Sequence, residues 1–251
     1  MKRIVCGLCG VFVLSVALIS AQAPSATKVS NFCQRAIEQF VCGAPILVPI
    51  SEDKRALRRQ DYQLTGLLQG VRFDMNGDGI EEQVSWTAQG SHLAFLALDR
   101  NGNGKIDNGK ELFSNFTFPD VNNGFAALNR ESNRSGLIRE GHPLFEKLLL
   151  WEDDNHDGIS QPEEIHKFSD HYVGFAGSYI EVAWVVANQD RVAGERFVER
   201  EPLTDKSGNE FRFVGTAAVR DPGKSKRYPM DTPGADQDLL IPIYDVVLRG
   251  R

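Results

Sequence analysis

The sequence has few cysteines, no long basic run and, beyond its first residues, no long apolar run. Its 251 residues include four cysteines, and 28 Lys and Arg stand against 34 Asp and Glu, for a formal net charge of -6. We expect no nucleic-acid partner, because binding to phosphates requires a dense face of Lys and Arg. A helix that spans a bilayer needs about 20 consecutive apolar residues. We therefore expect no stable membrane span in the mature chain.

The sequence also lacks the common signatures of hydrolytic enzymes. It contains no G-x-S-x-G segment that would mark a catalytic serine. Its histidines at positions 142, 156, 166 and 171 are scattered, and no two of them have the i, i+4 spacing of a helical zinc pair. We therefore assign no catalytic residue, and enzymatic activity stays uncertain.

The first residues have the form of a secretory signal peptide. Met1–Arg3 is a short basic start, Ile4–Ile19 is largely apolar, and Ser20–Ala23 supplies the small residues of a cleavage site. We expect a signal peptide over residues 1–21, with cleavage after Ala21 or Ala23, and an uncleaved anchor as the alternative. The protein is then secreted or periplasmic.

Removal of the leader leaves two cysteines, Cys33 and Cys42, in a compartment where disulfides persist. A Cys33–Cys42 disulfide is expected on that ground. Nine residues of continuous helix would, however, separate the two Cα atoms by about 13 Å, and a disulfide requires about 4.4 to 6.8 Å. Either the helix ends early and the chain turns back near Cys42, or the thiols stay apart.

Three acidic loops carry the strongest chemical signal. They begin at Asp74, Asp99 and Asp153, and each places Asp, Asn and then Asp or Asn at alternate positions before a Gly. Alternate residues of a tight loop can direct three side-chain oxygens to one point, and Ca²⁺ takes six to eight oxygen ligands at about 2.3 to 2.6 Å. The spacing therefore predicts calcium as the cofactor.

The third loop is the most complete of the three. Glu164 stands at its twelfth position, where a bidentate carboxylate belongs. The segment Pro162–Ile165 is typical of the first turn of a helix, because Pro is favoured at the first helical position. The sequence thus predicts a helix leaving this loop.

The other two loops close differently. The second has Lys110 at position twelve, which would repel the ion, so we expect Glu111 to serve in a loop that is one residue longer. The first is followed by strand-like alternation, which leaves Glu82 at position nine as its late carboxylate. We expect this first site to be weaker or differently closed.

The candidate calcium ligands are side-chain oxygens and, at the seventh position of each loop, a backbone carbonyl. They are Asp74, Asn76, Asp78, Ile80 and Glu82 in the first loop; Asp99, Asn101, Asn103, Lys105, Asp107 and Glu111 in the second; and Asp153, Asn155, Asp157, Ile159 and Glu164 in the third. One such motif is often an ordinary turn. Three copies within about ninety residues favour metal binding.

Longer strings around these loops carry a family resemblance. They are Val71–Asp74 with Asn76–Gly79, Leu96–Gly104 with Ile106–Phe113, Leu150–Trp151 with Asp157–Ser160, Gly208–Arg212, and Tyr244–Val246. From about Ala44 to Leu248 the chain resembles the bacterial EF-hand-like calcium-binding domains of secreted RTX-type and iron-regulated proteins. The resemblance implies calcium binding by these loops.

Some members of that family are self-processing modules, in which an Asp side chain attacks its own carbonyl at an Asp-Pro bond. The matching place in this sequence reads Ala44-Pro45. Alanine has no nucleophile, so that covalent step is not expected here.

We expect an α+β fold, with short strands and helical pieces around EF-hand-like calcium loops and a strand-rich C-terminal part. The late strands are predicted over Tyr179–Val186, Glu210–Val219 and Leu239–Leu248. Pro242 predicts that the last of them is an edge strand, because proline cannot donate to a ladder.

The predicted domain organisation has two parts after the signal peptide. Residues 22–44 form an N-terminal segment, and residues 45–251 form the calcium-binding domain. The predicted function is that of an exported calcium-binding protein whose fold is stabilised by calcium. The alternatives are a calcium-dependent processing enzyme and a cell-surface binding or adhesion module, whose protein or glycan partner the sequence does not identify.

Overall fold

The computed structural model describes residues 41–50, 62–135, 137–171, 179–186, 189–190, 198–199, 203–219 and 239–251. The strands are β1 (Cys42–Gly43), β2 (Ile46–Pro49), β3 (Val71–Phe73), β4 (Glu82–Val84), β5 (Leu93–Ala97), β6 (Leu137–Arg139), β7 (Leu149–Trp151), β8 (Ile165–Lys167), β9 (Tyr179–Val186), β10 (Gln189–Asp190), β11 (Val198–Glu199), β12 (Leu203–Thr204), β13 (Glu210–Val219) and β14 (Leu239–Arg249). The α-helices are α1 (Gly124–Glu131) and α2 (Phe168–His171), and single 3₁₀ turns cover Leu67–Gln69, Phe145–Lys147 and Pro162–Glu164.

Most of these strands form one sheet with the order β6-β9-β13-β14-β2-β5-β7-β8. β1 pairs with β14, and β12 pairs with β13, beside this path. Neighbouring strands in the sheet pair antiparallel. β3 and β4 form a separate antiparallel pair, as do β10 and β11.

The central strands are buried on both faces of the sheet. In β2, Ile46 and Val48 pack into one apolar cluster, and Leu47 packs into the other. The five residues of β5 divide between the same two clusters, and all are buried. A strand covered on both faces has a continuous apolar run rather than an alternating one, which is what Ile46–Val48 and Leu93–Ala97 show.

Each face of the sheet has its own cover. The first cluster includes Phe125 and Leu128 of α1. This helix begins after Asn123, whose side-chain oxygen accepts the N–H of Ala126 at 2.8 Å. The second cluster contains Trp86 and Ile106 from the segments that carry the acidic loops. The loops therefore lie on the face opposite α1.

The α+β prediction is wrong. The structure is strand-rich and mostly antiparallel, and the two α-helices in the described residues have eight and four residues. No EF-hand helix flanks the acidic loops in this part of the chain. The helix predicted to leave the third loop is a single 3₁₀ turn, Pro162–Glu164, which leads directly into strand β8. The loop motif does not determine the secondary structure on either side of it. Here strand pairing placed a strand, rather than a helix, after the third loop.

The late strands are confirmed, but the edge position of the last one is not. Strands β9, β13 and β14 occupy the predicted segments. β14 lies between β13 and β2. Its pairing with β2 covers only Tyr244 and Asp245, so Pro242 falls where β2 does not pair with it. The missing N–H of proline is tolerated there inside a central strand.

The signal peptide, its cleavage position and most of the N-terminal segment lie outside the described residues. So does Cys33, and the Cys33–Cys42 disulfide stays a prediction. Within the described ranges, no helix combines the length and the apolar character needed to cross a bilayer.

Candidate metal centre

The three acidic segments are strand–loop–strand units. We call Asp74–Glu82 loop 1, Asp99–Glu111 loop 2 and Asp153–Glu164 loop 3. Loop 1 joins β3 to β4, and loop 3 joins β7 to β8 through its 3₁₀ turn. Loop 2 follows β5 and returns to it through a bridge between Ala97 and Leu112. In each unit the residues that enter and leave the loop are held side by side.

The first Asp organises the backbone of each loop. Oδ1 of Asp74 accepts the N–H of Gly77 at 2.7 Å, and Oδ2 accepts that of Gly79 at 2.9 Å. Asp99 accepts the N–H groups of its own loop in the same way, at 2.7 and 2.8 Å. Asp153 accepts the N–H of Asp157 at 3.0 Å and that of Gly158 at 2.9 Å. These bonds wrap the chain around one carboxylate.

The glycine at the sixth position allows this wrapping. Gly79, Gly104 and Gly158 have φ values of 91°, 79° and 75°. A side chain at these φ values is strained. At Gly158 a Cβ would also lie 2.6 Å from the carbonyl oxygen of Arg72, so only glycine allows loop 3 to pack against strand β3.

The late carboxylates that the sequence singled out all fold back onto their loops. Glu82 accepts the N–H of the second loop residue, Met75, at 3.0 Å. Glu111 accepts the corresponding N–H of Arg100 at 2.9 Å, and Glu164 accepts that of Asp154 at 3.1 Å. A shared position for Glu82, Glu111 and Glu164 places a carboxylate over the mouth of each loop.

Loop 1 brings three carboxylates together. One oxygen each of Asp74, Asp78 and Glu82 lies within 4.8 Å of the others. The amide nitrogen of Asn76 donates to Asp78 at 3.0 Å and to Glu82 at 3.2 Å. Burial raises the pKa of the Glu82 carboxyl, and the negative charges of Asp78 and Asp74 raise it further. The hydrogen bond from the N–H of Met75 has the opposite effect and lowers this pKa. This convergence of negative charge can hold a metal ion.

Loop 2 has two amide side chains among its candidate ligands, where loop 1 has one. Asp107 accepts the side-chain N–H groups of Asn101 at 3.0 Å and Asn103 at 2.6 Å. Lys110 points away from its own loop, because its Nζ donates to the carbonyl of Gly77 in loop 1 at 2.6 Å. Within the described part of the chain, neither loop 2 nor loop 3 brings three of its own carboxylates as close together as loop 1 does.

Loop 3 rests against two buried tryptophans. The indole N–H of Trp86 donates to Asp153 at 2.8 Å, and that of Trp151 donates to Glu164 at 3.4 Å. Asp153 and Glu164 are 3% and 6% exposed. Burial raises the pKa of Glu164, while hydrogen bonds from backbone N–H groups and from Trp151 oppose the shift. Two acidic side chains of this loop thus belong to the protein interior.

The residues at the seventh position of each loop are predicted to bind through their backbone carbonyls, and their side chains are not buried. Ile80 is 68% exposed and Ile159 is 59% exposed. Lys105 is also exposed. Their N–H groups donate to the fifth-position side chains at 2.8 to 2.9 Å. An exposed isoleucine gains little from folding, which agrees with a role for the backbone alone.

Contacts between the loops were not visible in the sequence. The N–H of Gly109 in loop 2 donates to the carbonyl of Asp74 at 2.9 Å. The hydroxyl of Ser160 accepts the N–H of Ile106 at 2.8 Å and donates to its carbonyl at 3.2 Å. Ile106 and Ser160 both occupy the eighth position of their loops, and this shared position is the sequence feature that could have suggested the contact.

The chain belongs to the SPM domain family, whose model matches residues 57–216. This match covers more than half of the chain and includes all three loops.

One similar protein is the iron-regulated protein FrpA of Neisseria meningitidis serogroup C. The two are 38% identical over 149 residues, which are 57% of this chain and 13% of FrpA. The chain therefore spans a small part of the length of that relative.

Proposed function

We propose that this protein is an exported calcium-binding domain whose fold is stabilised by calcium in loops 1, 2 and 3. The observation that carries the proposal is the convergence of Asp74, Asp78 and Glu82 within 4.8 Å. Like charges at this distance destabilise the folded chain unless a cation lies between them. Binding then favours the folded state, because the unfolded chain does not bring these oxygens together.

Calcium suits these loops better than other common cations. The candidate ligands are carboxylate, amide and backbone oxygens, which hard cations prefer, and the loops contain no cysteine. Glu111 supports the assignment of loop 2, because it occupies the place that Glu164 occupies in loop 3. Mg²⁺ requires near-ideal octahedral geometry and gives up its water reluctantly, so we expect it to bind more weakly here.

The direct test is a calorimetric calcium titration of the purified, chelator-treated protein. We expect up to three bound ions, with affinities in the range of extracellular modules, about 10⁻⁴ to 10⁻³ M. A parallel magnesium titration is the control for ion selectivity. Absence of heat and of bound calcium at millimolar concentrations would contradict the proposal.

We also propose that the chain is secreted or periplasmic, with a signal peptide over residues 1–21, an N-terminal segment over 22–44 and the calcium-binding domain over 45–251. Support comes from the basic, apolar and small-residue order of the first residues. N-terminal sequencing of exported protein tests the boundary: a mature start at residue 22 or 24 is expected, and an intact Met1 would contradict it.

We expect calcium to leave the chain intact rather than to trigger its cleavage. Ala44, at the place where self-processing relatives have Asp, carries no nucleophile, is 2% exposed and donates its N–H to Asn115 at 2.7 Å. Intact-mass analysis after incubation with calcium tests this. Fragments from the unmodified protein would favour the enzyme alternative, and Ala44→Asp shows whether an Asp-Pro bond alone restores cleavage, which we expect it does not.

A further inference from the structure

One peptide group of loop 1 makes hydrogen bonds in two directions. It is the group that joins Asp74 to Met75. Its N–H, on Met75, donates to Oε2 of Glu82 within loop 1 at 3.0 Å. Its carbonyl, on Asp74, accepts the N–H of Gly109 in loop 2 at 2.9 Å. Because a peptide group is planar and rigid, it joins the late carboxylate of loop 1 mechanically to loop 2.

Gly109 is closely surrounded at this contact. It is buried, and its carbonyl accepts the hydroxyl of Ser114 at 2.9 Å. A Cβ at this position would clash with the carbonyl oxygen of Met75, so only glycine allows the two loops to approach this closely. A close-packed contact transmits a displacement, because no free space is there to absorb it. A change in the position of Asp74 therefore reaches Gly109.

The contact continues to the late carboxylate of loop 2. The N–H of Glu111 donates to the carbonyl of Asn108 at 3.0 Å, so residues 108–111 form one turn with Gly109 inside it. The carboxylate of Glu111 accepts the N–H groups of Arg100 at 2.9 Å and Asp107 at 2.8 Å. The turn that presents Gly109 to loop 1 thus also holds Glu111 over loop 2.

Lys110 makes a second contact between the two loops. Its Nζ donates to the carbonyl of Gly77 at 2.6 Å. Its aliphatic stem packs so closely on loop 1 that a Cβ at Gly77 would lie 2.7 Å from its Cδ. The N–H of Gly77 in turn donates to Oδ1 of Asp74 at 2.7 Å. The backbone that wraps the first carboxylate of loop 1 therefore also holds the lysine of loop 2.

We propose that loops 1 and 2 bind calcium with positive cooperativity, transmitted by the peptide between Asp74 and Met75 and by Gly109. This inference rests on the proposed function, because it requires calcium in both loops. An ion in loop 1 fixes Asp74 and Glu82, and with them the peptide that contacts loop 2. Gly109 and Glu111 are then held in place before the second ion binds. The second ion therefore bears less of the entropic cost of ordering its loop.

Electrostatics opposes this cooperativity, because the first ion neutralises part of the acidic charge that attracts the second. Salt reduces this opposition, since the Debye length is about 8 Å at about 0.15 M ionic strength. Lys110 already places a positive charge at the contact between the loops in the absence of calcium. At physiological ionic strength we therefore expect the mechanical coupling to dominate.

The test measures the calcium affinity of each loop when the other is disabled. Full-length, chelator-treated protein is titrated with calcium at about 0.15 M salt and followed by two-dimensional ¹H–¹⁵N NMR. The amides of Gly79 and Gly104 report on loops 1 and 2, because each donates to the first Asp of its own loop. Glu82→Gln should weaken binding at loop 2 by about fivefold or more, and Glu111→Gln should weaken binding at loop 1 by the same factor, because coupling is reciprocal.

Two variants that keep every candidate ligand test the route of the coupling. Gly109→Ala places a methyl group against the carbonyl of Met75 and should bring the coupling factor close to one. Lys110→Met removes the Nζ contact of an exposed residue, so it should fold normally and lower the factor by less. Ser160→Ala is the matched control, because it breaks a contact of loop 2 with loop 3 and should leave the factor unchanged.

The outcomes separate this inference from the proposed function. Calcium binding at both loops with unchanged affinities in Glu82→Gln and Glu111→Gln would overturn the coupling and leave the calcium assignment intact. Absence of calcium from both loops of the wild type would contradict the proposed function itself. A coupling factor that stays at its wild-type value in both Gly109→Ala and Lys110→Met would overturn the proposed route, and Lys110→Met alone decides it if Gly109→Ala does not fold.

Discussion

Loops 1 and 3 share one motif, but their carboxylates lie in different surroundings. Both place Asp, Asn, Asp and Gly at the first, third, fifth and sixth positions. In loop 3 the carboxylates accept indole N–H groups from the core. In loop 1 three carboxylates face one another, and one amide group lies between two of them. The motif thus sets the path of the backbone, and the surroundings set how much repulsion a cation can relieve.

This difference has a consequence for stability. In loop 3, Trp86 and Trp151 donate their indole N–H groups to Asp153 and Glu164. Among the described residues, the carboxylates of loop 1 accept no such bond from a core side chain, and loop 2 contacts the backbone of loop 1 through Gly109 and Lys110. We therefore expect loop 3 to be the more preorganised site, and loop 1 to be the region that calcium stabilises most.

The largest expected effect is that of calcium on the whole protein. Each occupied site stabilises the fold by about 1.4 to 2.7 kcal/mol when free calcium is 10- to 100-fold above its Kd. The melting temperature, measured by scanning calorimetry with calcium and with chelator, should rise accordingly. Hydrogen exchange should show the greater gain in protection in loop 1. An unchanged melting temperature at millimolar calcium would contradict the calcium assignment.

Single-charge variants should separate the two loops. Glu82→Gln and Glu164→Gln each remove a late carboxylate, and each should abolish one bound ion and its share of the stabilisation. The sequence supplies matched controls in the neighbouring residues Glu81 and Glu163, which are exposed. Glu81→Gln and Glu163→Gln should retain full stoichiometry by calorimetry. If Glu164→Gln binds as many ions as the wild type, loop 3 is not a calcium site.

Tryptophan emission should report on loop 3 rather than on loop 1. Trp86 follows loop 1 in sequence, but its indole donates to Asp153 of loop 3. Trp151 likewise donates to Glu164. The calcium-induced change in emission should therefore survive in Glu82→Gln and disappear in Glu164→Gln. A change in emission that follows the occupancy of loop 1 would contradict the assignment of both tryptophans to loop 3.

The smallest expected effect is the pH dependence of the metal-free protein. The pKa of Glu82 is raised in the folded state, so the protonated form is favoured there. Its contribution to stability is full below the pKa that this carboxyl has in the unfolded chain, and it is lost as the pH rises through the higher pKa of the folded state. Urea unfolding at several pH values in chelator should show this loss, and Glu82→Gln should reduce it.

Calcium should reverse the sign of that dependence at loop 1. The ion binds the ionised carboxylate, so protons compete with it, and the calcium-bound protein gains stability over the same rise in pH. Glu164, whose pKa burial also raises, should show the same reversal at loop 3. If the free energy of unfolding changed equally with pH in the presence and absence of calcium, this explanation would be contradicted.

The local features of the protein could be predicted from sequence. An Asp followed by alternating Asn and Asp and a Gly forms its hydrogen bonds within six residues, so the loop conformation does not depend on distant partners. It could also be predicted that the late carboxylate of loop 2 is that of Glu111, one residue beyond position twelve. Lys110 occupies position twelve, and its positive charge excludes it as a ligand for a cation. Strands β9 and β13 matched their predicted bounds for the same local reason.

Tertiary structure decided everything that joins distant segments. The same loop motif fits between helices or between strands, and the α+β prediction failed because pairing of β7 with β8 and of β3 with β4 supplied the flanks. Trp86 reaches Asp153 across 67 residues of chain, and His92 reaches Glu152 across the end of the sheet. Contacts of this kind follow from strand order and register, which one sequence does not determine, because many pairings bury the same apolar residues equally well.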